Sequence, residues 1–225
     1  MVKAVILDYG GTLVDTDLHL DILSEKVVER LLLEGVEIAA NDFHNAFLDT
    51  VEWRKTVNAK GKEIDGHEFF SHIVETFGYD AGRDLTDEIE MLLMGTGETI
   101  WLGDIEKLLV QLSEEYKVAL LSNAWLEAPR QILRDEGFGR WFDAMVCSFD
   151  IGIPKPDPRI FQHTLNLLGV NAHEAVMVGD SIKADIEGAL NARLEAVWVD
   201  HNGTGEWKGN TIRSLVELPE LLKKL

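Results

Sequence analysis

The sequence has little of what disulfide-stabilised, membrane-spanning or nucleic-acid-binding proteins need. Cys147 is the single cysteine among 225 residues, so no internal disulfide can form, and a lone thiol is typical of a reducing compartment. No apolar run approaches the length of a membrane span. The run at residues 4–7 is also too short for a signal peptide and predicts a strand. We therefore expect a cytoplasmic protein with no membrane partner.

Basic residues are also scarce. Forty acidic residues against 21 basic ones give a formal net charge of −19. A surface of this charge repels DNA, RNA and anionic lipid, so nucleic acid is not an expected partner. A small anionic substrate would need local cations or a bound metal ion.

Short apolar runs without polar alternation recur along the chain and are typical of strands that are buried on both faces of a parallel sheet. Amphipathic segments with helical spacing lie between them. Alternation of strand and helix predicts an α/β fold with a doubly wound, Rossmann-like parallel sheet. The apolar runs are residues 5–7, 118–121, 145–147, 175–178 and 196–199.

The chain between the first two apolar runs departs from this alternation, because its apolar residues keep helical spacing almost throughout. This pattern predicts an all-helical domain inserted into a loop of the sheet domain. We place the α/β catalytic core at residues 1–13 and 100–225 and the helical insert at residues 14–99. Ligands bind at the carboxyl ends of parallel strands, so the insert is expected to act as a lid, or cap.

Polar side chains follow the first two strands of the predicted sheet. Asp8 ends the first strand and precedes Gly10 and Gly11, which let a backbone approach an anion closely, and Thr12 adds a hydroxyl donor. Ser122 and Asn123 end the second strand in the same way. Taken alone, the first motif is equally consistent with a glycine turn, and the second is more often the N-cap of a helix.

Two further motifs carry charge. Lys155 lies between Pro154 and Pro156, which would hold the ammonium group on a stiff segment, although an isolated motif of this kind is more often a solvated turn. Asp180 ends another strand and Asp185 follows at the start of a helix. Together with Asp8, these carboxylates are suitable ligands for a hard cation.

The four motifs are mutually consistent because they all fall near ends of predicted strands and complement one another chemically. A carboxylate nucleophile at Asp8 is repelled by a phosphate dianion. A metal ion on the acidic residues, the Lys155 ammonium and the Ser122 hydroxyl would offset that repulsion. The combination therefore indicates a site for phosphoryl chemistry.

On these four motifs the chain resembles the haloacid dehalogenase superfamily, whose members are mostly phosphatases. The resemblance covers nearly the whole chain and implies an aspartyl-phosphate on Asp8. It implies that Lys155 neutralises Asp8 and that Mg²⁺ is the cofactor of a reaction on a small phosphorylated metabolite. The implied metal ligands are Asp8, the Gly10 carbonyl, Asp180 and Asp185, and the implied phosphate-binding residues are Gly11, Thr12, Ser122, Asn123 and Lys155.

Gly10 departs from the family pattern. Phosphatases of the family usually carry a second aspartate at this position, which protonates the leaving group and later activates water. Loss of a general acid–base typically costs about 10²–10⁴ in rate. A substrate with a good leaving group, such as an acyl or aryl phosphate, would lose least. Replacement of this group by a side chain of the cap is a further hypothesis, with Asp15, Glu52, His67 and His72 as the candidates.

Three alternatives stay open. Haloacid dehalogenases proper also lack the second aspartate, but they work without metal, lack the Gly179–Asp180 pair and carry an arginine early in the cap, whereas the first arginine here is Arg30. Phosphonate hydrolysis would need a cap lysine that forms a Schiff base. A catalytically impaired protein that binds a phosphorylated ligand or a partner is the non-enzymatic alternative.

Overall fold

The computed structural model describes residues 1–225. Buried apolar runs form the strands, and amphipathic segments form the helices. The strands are β1 (Ala4–Leu7), β2 (Val14–Leu18), β3 (Gly97–Trp101), β4 (Lys117–Ser122), β5 (Ala144–Cys147), β6 (Ala175–Gly179), β7 (Glu195–Val199) and β8 (Thr211–Ile212). The α-helices are α1 (Leu20–Leu33), α2 (Ala40–Asn58), α3 (Gly66–Glu75), α4 (Arg83–Met94), α5 (Ile105–Ser113), α6 (Ala128–Asp135), α7 (Pro158–Leu168), α8 (Gly188–Asn191) and α9 (Leu218–Leu222).

The main sheet has six strands in the order β5-β4-β1-β6-β7-β8, and its ladders are parallel. β1 is central and is buried along its whole length, which explains why its sequence is continuously apolar rather than alternating. Its side chains contribute to two cores, one on each face of the sheet. The prediction of a doubly wound parallel α/β fold is confirmed.

The chain divides into two compact units, Met1–Asp15 with Ile100–Leu225 and Thr16–Thr99. The first contains the main sheet and the second contains α1 to α4. Within the helical unit, Asp65 begins α3 through a capping box with Glu68, and Phe69, Phe70 and Ile73 are fully buried on the inner face of that helix.

A two-stranded sheet of β2 and β3 was not predicted. Val14 begins β2 in the core, but the next residues, Asp15, Thr16 and Asp17, are exposed. This short polar segment carries neither a continuous apolar run nor clear alternation, so sequence reasoning assigned no strand to it. β8 escaped prediction because it has only two residues.

None of the helices combines the length and the apolar character that crossing a membrane requires.

Candidate active site

The central strands bring the predicted polar residues to one edge of the sheet. β1 pairs with β4 on one side and with β6 on the other, in parallel register. Asp8 directly follows β1, Ser122 is the last residue of β4, and Asp180 directly follows β6. Because the three strands are neighbours and run in the same direction, their carboxyl ends meet, and Asp8 lies in the middle.

Lys155 is a buried cation with only acceptors around its ammonium group. Its Nζ donates to Asp8 Oδ1 at 2.6 Å, to Asp185 Oδ1 at 2.6 Å and to the Leu121 carbonyl at 2.7 Å. Burial alone would lower the pKa of Lys155, but the carboxylates of Asp185 and Asp8 raise it to about 12. The ammonium group is therefore charged at neutral pH.

Asn123 holds the backbone of Lys155. The Lys155 N–H donates to Asn123 Oδ1 at 2.7 Å, and Asn123 Nδ2 donates to the Lys155 carbonyl at 2.9 Å. The side-chain amide of Asn123 is therefore engaged on both sides by one residue. Phosphate binding by Asn123 stays a prediction, and what the structure places there is a clamp on the lysine.

Asp185 lies on a single π-helical turn (Ile182–Glu187) that follows β6. Its Oδ1 accepts from Lys155, and its Oδ2 accepts from the Ser181 N–H at 3.0 Å. Gly179 makes room for this carboxylate, because a Cβ atom at Gly179 would lie 2.3 Å from Asp185 Cγ. The carboxylate therefore has one orientation, and it points toward the end of β6.

Asp8, Asp180 and Asp185 form a compact acidic cluster, in which one carboxylate oxygen of each lies within 4.8 Å of the others. Burial raises the pKa of all three carboxyl groups, against the opposing effect of the Lys155 ammonium. Three carboxylates face a single lysine, so the cluster carries excess negative charge. An all-oxygen donor set with excess negative charge fits a hard divalent cation.

The loop after Asp8 is open at Gly10 and tightly packed at Gly11. A Cβ atom at Gly10 would meet no atom within 4 Å. Gly11 has a φ of +72°, and a Cβ atom there would lie 2.5 Å from Asp180 Oδ2. The hydroxyl of Thr12 is buried without a hydrogen-bond partner in the protein. Thus Gly11 cannot be replaced without moving Asp180, whereas Gly10 can carry a side chain.

Sequence reasoning missed two residues that contact this site from β7 and the loop after it. Trp198 Nε1 donates to the Asp180 carbonyl at 2.8 Å, and His201 Nε2 lies 3.0 Å from the Gly11 carbonyl. An apolar strand residue and a histidine in a glycine-rich loop carry no motif. Their position at the end of a strand that neighbours β6 was the only available signal.

Three of the proposed replacement acids lie in the helical unit and are engaged there. His67 Nδ1 lies 2.8 Å from Thr86 Oγ1, and the His72 ring stacks on Trp53 with a centroid distance of 4.0 Å. Glu52 accepts from Lys55 Nζ at 2.6 Å. The fourth, Asp15, is exposed in β2. Delivery of a proton by one of these groups stays a prediction.

The parallel sheet and the buried lysine–carboxylate cluster at its carboxyl edge define a class of α/β hydrolases with an acidic reaction centre. A family model described as haloacid dehalogenase-like hydrolase matches residues 2–193. The chain belongs to this family of hydrolases.

Similar proteins span the whole chain. The N-acylneuraminate-9-phosphatase of Homo sapiens is 29% identical over 243 aligned positions, which cover 100% of this chain and 95% of that protein. A haloacid dehalogenase superfamily phosphatase from Thermococcus onnurineus has a TM-score of 0.68 at 26% identity, and 98% of each chain is covered. A 2-haloacid dehalogenase from Pseudomonas syringae has a TM-score of 0.74 at 23% identity, with 100% of this chain and 99% of that chain covered, and shows the shared fold.

Proposed function

We propose that the protein is a magnesium-dependent phosphatase that acts on a small phosphorylated metabolite and uses Asp8 as its nucleophile. The observation that carries this proposal is the buried contact of Lys155 with both Asp8 and Asp185, beside Asp180. A buried carboxylate that accepts a hydrogen bond from a fixed ammonium group is suited to act as a nucleophile. The phosphatase names of full-length relatives support phosphoryl rather than halide chemistry.

The proposed reaction has two displacements at phosphorus. An Asp8 oxygen forms a bond to phosphorus while the bond from phosphorus to the leaving oxygen breaks, and the leaving oxygen takes a proton from water or an acid. Water then attacks the phosphorus of the aspartyl-phosphate, loses a proton, and releases Asp8 and inorganic phosphate. Lys155 and the hydroxyls of Ser122 and Thr12 stabilise the negative charge of the transferring oxygens.

Asp8, Asp180, Asp185 and the Gly10 carbonyl are the proposed holders of Mg²⁺. When bound, the ion would offset the charge of the carboxylates and of the phosphoryl oxygens. Both oxygens of Asp185 already accept hydrogen bonds, from Lys155 and from Ser181. Asp180 would therefore hold the ion directly. Asp185 would either hold the ion directly or orient a water molecule beside it.

Gly10 restricts the substrates on which the enzyme would be fast. With no carboxyl group at this position, the leaving oxygen has no acid beside Asp8, so the rate depends on the basicity of that oxygen. Acyl and aryl phosphates leave readily without protonation, whereas alkyl phosphates do not. We infer that the preferred substrates have a good leaving group. The alternative is that a side chain of the proposed helical cap, which consists of residues 14–99, supplies the proton.

The compartment proposed for this reaction is the cytoplasm. Cys147 is the only cysteine of the chain and is a buried free thiol. Burial raises its pKa to about 12, so it is protonated and unreactive at neutral pH.

The test is phosphate release from acyl, aryl and alkyl phosphates, with and without Mg²⁺, by wild type and Asp8→Asn. Turnover that requires Mg²⁺ and is lost in Asp8→Asn supports the proposal, and acid-stable trapping of phosphate on wild type alone would identify the intermediate. Asp157→Asn is a matched control, because Asp157 lies in the same unit and is the N-cap residue of α7. Halide release from 2-haloacids without phosphate release from any substrate would contradict the proposal.

A further inference from the structure

The side chains of Trp198 and His201 contact backbone carbonyls of two site residues that pack against each other. That contact is between Gly11 and the Asp180 carboxylate, which are so close that a Cβ atom at Gly11 would lie 2.5 Å from Asp180 Oδ2. Trp198 Nε1 donates to the carbonyl of Asp180, and His201 lies within hydrogen-bond distance of the carbonyl of Gly11. Each partner of the contact is thus held by one side chain.

The tryptophan is rigidly placed. It is 5% exposed, and it pairs in register with Gly179, the residue before Asp180. The backbone N–H of Trp198 donates to the Asn210 carbonyl at 2.9 Å, so the backbone is fixed by neighbouring chain segments on both sides. An indole N–H that is buried needs an acceptor, and here that acceptor is the carbonyl of a candidate metal ligand.

The loop that carries His201 is also held in place. Asp200 accepts hydrogen bonds from the N–H groups of Thr204 at 3.0 Å and Gly205 at 2.9 Å, which closes the loop on itself. The Asp200 N–H donates to the Ile212 carbonyl at 2.8 Å and ties the loop to β8. His201 is exposed, but its backbone is anchored. Because a carbonyl can only accept, His201 Nε2 must carry the proton in this contact.

The Gly10–Gly11 pair is the part of the site that most needs external support. Two consecutive glycines have more conformational freedom than any other pair, and Gly10 has no side chain to pack. The Gly11 N–H donates to the Val14 carbonyl at 2.7 Å. His201 adds a bond on the carbonyl side of the same residue. The orientation of the peptide groups that follow Asp8 therefore depends on a residue far away in sequence.

We propose that Trp198 and His201 are positioning residues of the active site, which together fix the Asp180 carboxylate against the Gly10–Gly11 backbone. This role rests on the proposed function, because it concerns the group that Asp180 and Gly10 would hold. Partners of this kind orient metal ligands without touching the metal, and their loss typically weakens metal affinity or activity by about 10–100-fold.

The test compares wild type with Trp198→Phe, His201→Ala and His201→Gln. Trp198→Phe keeps an aromatic ring and removes the N–H, and His201→Gln keeps an N–H donor. Trp141→Phe and His173→Ala are the controls, because Trp141 packs on Phe138 and His173 precedes the opposite end of β6. The readouts are the Kd for Mg²⁺ by titration calorimetry, the dependence of phosphate release on Mg²⁺ and the melting temperature of each variant.

We expect Trp198→Phe to raise the Kd for Mg²⁺ about tenfold and His201→Ala to lower kcat about tenfold with little change in KM, with recovery in His201→Gln. Both controls should keep the wild-type values. A folded Trp198→Phe with wild-type Mg²⁺ affinity, together with an unchanged His201→Ala, would overturn the inference while the proposed function stood. Wild type that neither binds Mg²⁺ nor releases phosphate would overturn both.

Discussion

Lys155 donates a 2.6 Å hydrogen bond to Asp8 at the centre of the sheet edge, where the lysine side chain is 2% exposed and the aspartate side chain 10% exposed. The same ammonium group reaches Asp185 at 2.6 Å. Ions are buried at a large cost in solvation, which is recovered only when their partners are close and complete. The lysine is therefore needed both to neutralise the proposed nucleophile and to keep the sheet edge folded.

Replacement of this lysine should be costly to stability as well as to activity. Lys155→Met keeps the length of the side chain but leaves Asp8 and Asp185 buried without a cation, and we expect the free energy of unfolding to fall by about 3–5 kcal/mol. Urea denaturation without Mg²⁺ measures this loss. The double variant Lys155→Met/Asp185→Asn should lose less than the single one, since one unpaired carboxylate has been removed. If Lys155→Met were as stable as wild type, Asp8 and Asp185 would not need the cation for folding, and the expected loss would be wrong.

Gly10→Asp should restore the missing acid. Space at this position is open, with no atom within 4 Å of the added Cβ, so the substitution should not disturb the fold. We expect the rate on alkyl phosphates to rise by about 10²–10⁴, with a much smaller change on acyl phosphates. Gly10→Asn, which has the same shape without the acid, is the matched control for the phosphate-release assay. An equal gain in both variants would argue against acid catalysis.

Gly179→Ala should damage the acidic cluster without touching any of its members. The added Cβ would lie 2.3 Å from Asp185 Cγ and 2.6 Å from Asp185 Cβ, so the carboxylate must move. We expect a loss of about 1–3 kcal/mol in the free energy of unfolding, as for other overpacked sites, and a loss of phosphate release. Gly82→Ala is the control, because a Cβ there meets nothing within 4 Å. Equal activity in the two variants would contradict the assigned position of Asp185.

The stability of the fold should depend on pH through Glu174, which lies at the amino-terminal edge of the sheet, opposite the candidate site. Its hydrogen bond with Lys3, at 2.5 Å, and bonds from Asn171 lower its pKa from the ordinary 4.5 to about 2. Since the folded pKa is the lower one, this carboxylate stabilises the fold above about pH 4.5, and the contribution is lost as the pH falls toward 2. The stability difference between wild type and Glu174→Gln should therefore shrink over that range in urea titrations.

Much of the fold could be predicted because it depends on local pattern. The buried runs that became β1, β4, β5, β6 and β7 are continuously apolar, and such runs have few alternatives to parallel strands. The insert of α1 to α4 follows from helical periodicity. The ribbon of β2 and β3 could not be predicted, because its pairing joins residues far apart in sequence and its strands alternate too weakly.

The candidate site divides in the same way. Asp8, Ser122 and Asp180 could be named because strand ends are visible in the sequence and parallel strands align those ends. The support of the site was not visible. Asn123 holds the backbone of Lys155, and its contact with phosphate stays a prediction. Trp198 and His201 bond to backbone carbonyls that no motif reveals.

The sequence by itself determined the parallel α/β core, the helical insert and the order of the polar residues along the strands, since hydrophobic periodicity and strand direction are local properties of the chain. Only the tertiary structure decided that one lysine joins Asp8 to Asp185 and that Gly11 packs against Asp180. It also decided that Trp198 of β7 bonds to Asp180 and that His201, in the loop after β7, bonds to Gly11. These relationships depend on distances between segments far apart in sequence, which are set by packing of the whole sheet rather than by any local pattern.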